Sequence, residues 1–98
     1  MTHADFTQSV ETDSAPPAAL SNPEKALWLV KNDQWDASHA VVDDIPGEIG
    51  SWIHAHLHLI EGDLGNAGYW YRRANRPARS RKEIDAEWEE LARFVTEG

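Results

Sequence analysis

Along most of this chain the apolar residues return every three or four positions, the spacing of a helix that buries one face. Asn22-Pro23-Glu24 is a start signal: Asn22 caps, Pro23 takes the first helical position and Glu24 complements the dipole. Ala26, Leu27, Trp28, Leu29 and Val30 follow, up to a stop at Lys31-Asn32-Asp33. A second helix opens near Asp33 and carries Trp35, Ala37, Ala40, Val41 and Val42 before Pro46-Gly47, a pair that ends helices and does not fit a strand interior. The third runs from about Glu48 to Glu61. Between Gly50 and Glu61 its polar residues are Ser51 and three histidines, which predicts a central helix contacted on most sides. Gly62 closes it, and Asp63 caps a fourth helix whose stripe is Leu64, Ala67, Tyr71 and Ala74. Asn75 to Ala78 reads as a loop around Pro77. Ser80-Arg81-Lys82-Glu83 is then a capping box that opens a fifth helix with Ile84, Trp88, Leu91 and Val95 on one face. No segment sustains a period of two, so the expected class is all-α.

Residues 1–20 depart from this pattern. They are rich in Thr, Ser, Ala, Pro and Asp, show neither periodicity, and are read as a flexible tail ahead of one α-helical domain over residues 21–98. The 98 residues leave room for one small domain, and a mean hydropathy of -0.61 describes an ordinary water-soluble composition. A net charge of -8 speaks against a nucleic-acid partner, because neutralising phosphates needs a basic surface. No run approaches the roughly 18 apolar residues of a membrane span, and Met1 to Ser14 lacks the basic start and apolar stretch of a secretory signal. With no cysteine there is neither a disulfide framework nor a thiolate zinc site, which fits a cytoplasmic location. The five tryptophans fall one to each proposed helix. Core packing is the plainer reading of that distribution, and an aromatic cage for a cationic ligand is the sharper one.

Two segments read alike. Asp33-Gln34-Trp35-Asp36-Ala37-Ser38 and Gly62-Asp63-Leu64-Gly65-Asn66-Ala67 both join one helix to the next. Each sets a large apolar residue two after the break (Trp35, Leu64) and a small one three later (Ser38, Ala67), where two helices can approach closely. Here the chain resembles tetratricopeptide and Sel1-like repeats, in which a glycine turn precedes a helix of the form A-x-x-x-Y-x-x-A. Gly62, Leu64, Ala67, Tyr71 and Ala74 follow that form, and Tyr69-Trp70-Tyr71-Arg72-Arg73-Ala74 looks Sel1-like. In the first hairpin Asp33 stands where glycine is usual, and Val42 replaces the aromatic. The stretch from Trp52 to Ala74 also resembles a family of short, functionally uncharacterised bacterial and fungal proteins. What the resemblance implies is a five-helix bundle: two tetratricopeptide-like hairpins and a capping C-terminal helix. Two hairpins are too few for a solenoid, so a closed mini-bundle is expected.

Candidate chemistry gathers in two places. On the third helix His54 and His58 are four apart, the spacing by which one helix offers two imidazoles to a metal; Glu61 lies three further on, and His39 on the neighbouring helix could join them. His56 falls on the other face, with Trp52, Leu59 and Ile60, as a core histidine. Position 55 is alanine, so the base-bearing H-E-x-x-H pattern of metalloproteases is missing. The competing reading has all three histidines satisfied by ordinary hydrogen bonds. The second place is Trp70, Tyr71, Arg72, Arg73 and Arg76, a candidate site for a peptide or an anion. It lies in a basic run that continues through Arg79, Arg81 and Lys82 and gives way to Glu83, Asp85, Glu87, Glu89 and Glu90. Much of that charge order suits the helix dipoles, cations closing one helix and anions opening the next. The sequence therefore leads to a non-catalytic adaptor for a protein or peptide partner, with no cofactor. The alternative is a metal-binding protein or metal-dependent enzyme holding a divalent ion such as zinc on His54, His58, Glu61 and His39.

Overall fold

The computed structural model describes residues 1–97 and is built from helices alone, with no strand among those residues. There are six helices where five were expected: α1 (His3–Thr12), α2 (Asn22–Lys31), α3 (Trp35–Val42), α4 (Gly47–Glu61), α5 (Leu64–Arg73) and α6 (Ile84–Glu97). A single 3-10 turn, Arg81–Glu83, leads directly into α6. None of the described helices is long and apolar enough to cross a membrane.

Most of the boundaries follow the expected signals. Gly62 ends α4 at φ +87°, a left-handed cap that costs glycine little, and the Asp63 carboxylate accepts from the Asn66 amide to start α5. The Ser80–Glu83 capping box forms as read. The cap of α2 is Ser21 rather than Asn22: its hydroxyl accepts from the Glu24 amide, while Glu24 reaches back to the Ser21 amide. Asp33 does not open α3. It sits at φ +59° inside the turn, and Gln34 is the cap.

Helix α2 packs along α3 and α4 along α5, while α6 lies against α1, α2 and α4. Ser38 and Ala67, the two small residues of the matching segments, are both buried; Ser38 donates its hydroxyl proton to the Ala26 carbonyl across the first pair. The core collects Leu27 and Trp28 from α2, Ile53, Leu57 and Leu59 from α4, and Leu91 and Ala92 from α6.

In place of the expected tail stands α1. Thr2 caps it, and Phe6, Ser9 and Val10 turn one face inward. Phe6 is wholly buried and stacks on Trp88, with ring centres 6.1 Å apart. Trp28 Nε1 donates to the Ser9 hydroxyl and Asn32 to the Val10 carbonyl, so the buried polar atoms of the seam are paired. The radius of gyration is 12.4 Å, close to the ~13 Å of a folded chain of ~100 residues, as it must be if α1 is docked on the body.

At the centre is a carboxylate. Glu87 of α6 is fully buried and receives Trp52 Nε1 at 3.2 Å, His56 Nδ1 at 2.7 Å and the Tyr71 hydroxyl at 2.7 and 2.8 Å from its two oxygens. Burial alone would raise its pKa. The donors, led by His56 and Tyr71, outweigh it and hold the carboxyl below the usual range. Two stability predictions follow from these contacts. Phe6→Ala should cost about 3–5 kcal/mol by opening a cavity at the α1–α6 seam, read as a lower urea midpoint at unchanged slope. Glu87→Leu should cost at least about 3 kcal/mol, because it strands three buried donors, whereas Glu89→Leu at the exposed neighbouring position should cost less than about 0.5 kcal/mol.

Candidate metal centre

The α3–α4 connection is short and tight, and this places the histidines. Pro46 caps α4, and Gly50 in its first turn lies directly under the Ile45 carbonyl; a Cβ at position 50 would fall 2.1 Å from that oxygen. Only glycine admits this approach, which folds the connection back so that α3 runs beside α4. Trp35 fixes the other end of α3 by donating Nε1 to the Leu57 carbonyl at 2.8 Å.

His39 of α3 thereby meets His54 and His58, one turn apart on α4. The Nε2 atoms of His39 and His54 are 3.0 Å apart, and one ligating nitrogen from each of the three rings lies within 4.8 Å of the others. Two imidazoles bound to one tetrahedral ion at about 2.0–2.1 Å hold their nitrogens about 3.3 Å apart, close to the separation found. Two facing lone pairs at 3.0 Å repel unless a proton or a cation lies between them.

One carboxylate orients a ring from behind and a second lies near another. Glu61 Oε1 is 2.9 Å from His58 Nδ1, and Asp43 Oδ2 is 3.6 Å from His39 Nδ1. The Glu61 hydrogen bond occupies Nδ1 of His58 and leaves its Nε2 as the nitrogen available to a ligand, the usual outer-shell arrangement of a ligating histidine. Glu61, expected as a ligand, is brought to the site but turned to His58. Asp63 also comes near His58 and Glu61.

Aromatic rings enclose the cluster. Trp70 of α5 stacks on His54 at 3.9 Å between ring centres and 9° between planes, His54 stacks on His58 at 5.0 Å, and Trp35 stacks on His39 at 5.0 Å. Burial, with the fields of His39 and His58 next, lowers the His54 pKa from 6.5 to about 4, against an opposing pull from Asp43. His54 is therefore neutral at pH 7 and has no proton to lose before binding a cation. A cavity of about 400 Å³ opens beside His54, lined among others by Asp43, Ser51, Trp70 and Arg73.

The second candidate patch is dispersed. Trp70 belongs to the histidine cluster, and Tyr71 is buried against Glu87, where burial and then its hydrogen bond to that carboxylate push the phenol pKa well above its ordinary value. Arg76 lies over the Trp52 ring at 3.5 Å, and Arg73 over Trp70 at 5.3 Å while donating to the Tyr69 hydroxyl. Arg79 pairs with Glu83 and Glu90, and Arg81 donates to the Leu59 and Ile60 carbonyls at the end of α4. Arg72 stays exposed. The tryptophans do not form a cage for an external cation: Trp28, Trp52 and Trp88 are buried in the core, and the cations over indole faces are the protein's own.

Asp43, Trp35 and the role of Trp70 were missed from the sequence. Asp43 carried a signal, since it stands four after His39, the same step that joins His54 to His58. Compared with protein-family models, curated proteins and solved structures, the chain matches none.

The lowered His54 pKa makes a pH prediction for the metal-free protein. The unfolded chain takes up the proton at about 6.5 and the folded one only near 4, so this contribution is complete above 6.5 and is lost as the pH falls toward 4. Between about pH 7 and about pH 4.5 the loss should be about 2–3 kcal/mol. His54→Gln should remove that part of the dependence, read as the difference between the two proteins' urea midpoints at each pH.

Proposed function

We propose that the protein binds a divalent transition-metal ion through His39, His54 and His58. The observation that carries the reading is the meeting of three imidazoles from two helices, one of them backed by a carboxylate and a second with one nearby. An all-imidazole donor set suits the borderline ions of the zinc, copper and nickel class and disfavours calcium or magnesium, which take oxygen ligands. Three protein ligands leave a coordination position open, as in sites that present the ion to water or to a small ligand. The cavity beside His54 supports the same reading, since a ligand held there would lie next to the ion.

Zinc added to tag-free protein at neutral pH should bind one to one and raise the thermal midpoint, by an amount equivalent to about 2.7 kcal/mol at roughly 100 times the dissociation constant. His39→Ala, His54→Ala and His58→Ala should each abolish the shift, while His3→Ala should keep it. Acid should weaken binding, because protons compete for the imidazoles. A zinc response that survives in two of the three cluster variants, or no response at all, overturns the reading.

A peptide-binding adaptor of the tetratricopeptide kind is the second reading. The pairing of α2 with α3 and of α4 with α5, and the burial of Ser38 and Ala67 at matching places, support it. On this reading the exposed Leu64 and Tyr69, with Arg72 and Arg73 on the same helix, would take an acidic peptide with an apolar anchor. Binders selected from an acidic peptide library should lose affinity in the Arg72→Gln, Arg73→Gln double variant and keep it in His54→Ala. Indifference to both arginines rejects the adaptor.

A further inference from the structure

The histidine left out of the metal centre is unusual in its own right. His56 is fully buried, and its Nδ1 is committed to Glu87. Its other nitrogen, Nε2, is buried without any hydrogen-bond partner, and no other polar side-chain atom among the described residues is recorded in that condition. Leaving such an atom unpaired costs about 1–3 kcal/mol, so its retention calls for an explanation.

The surroundings supply one. His56 forms part of a cavity of about 270 Å³ between α2, α4 and α6, whose apolar lining residues are Val30, Ile60, Ile84 and Trp88. Glu87 is not among the lining residues, so the ring spans from the buried carboxylate on one side to the cavity on the other. Lys31 also lines it, 3.9 Å from the Asp85 carboxylate and 4.9 Å from the centre of the Trp88 ring. Asp33 and Asp85 line the cavity together with Lys31, so its apolar residues share the walls with three charged ones.

The tautomer follows from the hydrogen bonds. Glu87 already receives the Tyr71 hydroxyl and the Trp52 N–H, which commits it as an acceptor, so His56 carries its proton on Nδ1. In the neutral imidazole Nε2 is then a bare acceptor. We propose that this cavity is a second binding site, independent of the metal centre, for a small neutral molecule with an apolar body and one hydroxyl donor, a phenol or an alcohol. The hydroxyl gives its proton to His56 Nε2, and the body lies between Trp88 and the aliphatic walls. Reaching Nε2 requires Ile60 or Ile84 to turn aside; both are half-buried, and side chains at the surface change rotamer readily.

Phenol and toluene, alike in shape and differing in the donor, test this in the full chain labelled with 15N-histidine. Phenol should saturate a shift of the His56 Nε2 resonance and bind about tenfold more tightly than toluene, the ratio that one hydrogen bond supplies. Ile60→Phe fills the cavity without touching the Glu87 network and should abolish phenol binding; Ile84→Phe does the same from the α6 wall should the first variant not fold. Zinc and the His54→Ala substitution should leave phenol binding unchanged, so this site and the metal centre fail separately. Equal affinity for the two probes, no saturable shift at Nε2, or binding that persists in the filled-cavity variants overturns the proposal.

Discussion

One buried carboxylate organises this small protein. A charge in a core is costly unless its oxygens are satisfied, and Glu87 is satisfied only when α4 supplies Trp52 and His56, α5 supplies Tyr71, and α6 holds all three in register. Shifting any one of these helices leaves a buried donor or the carboxylate itself unpaired. Apolar contacts are non-directional, whereas the hydrogen bonds to Glu87 set both distance and direction between α4, α5 and α6. Other features of the bundle depend on that register. Trp70 is carried against His54 by the same helix that delivers Tyr71 to Glu87, so the core network and the histidine cluster share α5 as their common strut.

Helix α4 puts one residue type to two uses. His54 and His58 lie on the face toward α3, while His56, about 200° around the helix from His54, enters the core. Facing α6, an imidazole N–H answers a carboxylate and the polar groups are locked. Facing α3, the Nε2 atoms of His39 and His54 meet with His58 stacked beside them, and carboxylates lie only at the outer edges. The first arrangement satisfies Glu87 and leaves only Nε2 of His56 without a partner. The second is bracketed by the stacked rings of Trp35 and Trp70, and the metal proposal rests on it.

Much of this was legible in the sequence, and the gaps have physical causes. Periodicity and caps gave α2 to α6 because each carries both an apolar stripe and a terminal signal. The i, i+4 spacing gave His54 and His58, and adjacency gave His39. Helix α1 escaped notice because Phe6 and Val10 are its only large apolar residues on the buried face; a helix of ten residues is marginal alone and exists here through docking against Trp28 and Trp88. Glu87 was hidden in a run of acids whose order suits a helix dipole. Its position three after Ile84 and four before Leu91 nevertheless puts it on the apolar stripe, where an acid is anomalous. Tyr71 was read twice, on the apolar stripe with Ala67 and Ala74 and among the arginines as a candidate binding residue, and it is the stripe that matches its burial.

The seam between the first and sixth helices joins distant parts of the chain. His3 Nδ1 meets the Thr96 hydroxyl at 3.3 Å across a sequence separation of 93 residues, whereas the α2–α3 and α4–α5 pairs close over turns of a few residues. In an unfolded chain, closing a loop of that size costs about 2 kcal/mol more in entropy than closing one of about 10 residues. Loop closure therefore favours the two hairpins over the α1–α6 contact, while the bonds of α1 to Trp28 and Asn32 of α2 span only 19 and 22 residues. The burial is asymmetric too: α1 buries Phe6, Ser9 and Val10 whereas α4 buries nine of its residues, so a local opening uncovers far less at α1 than at α4.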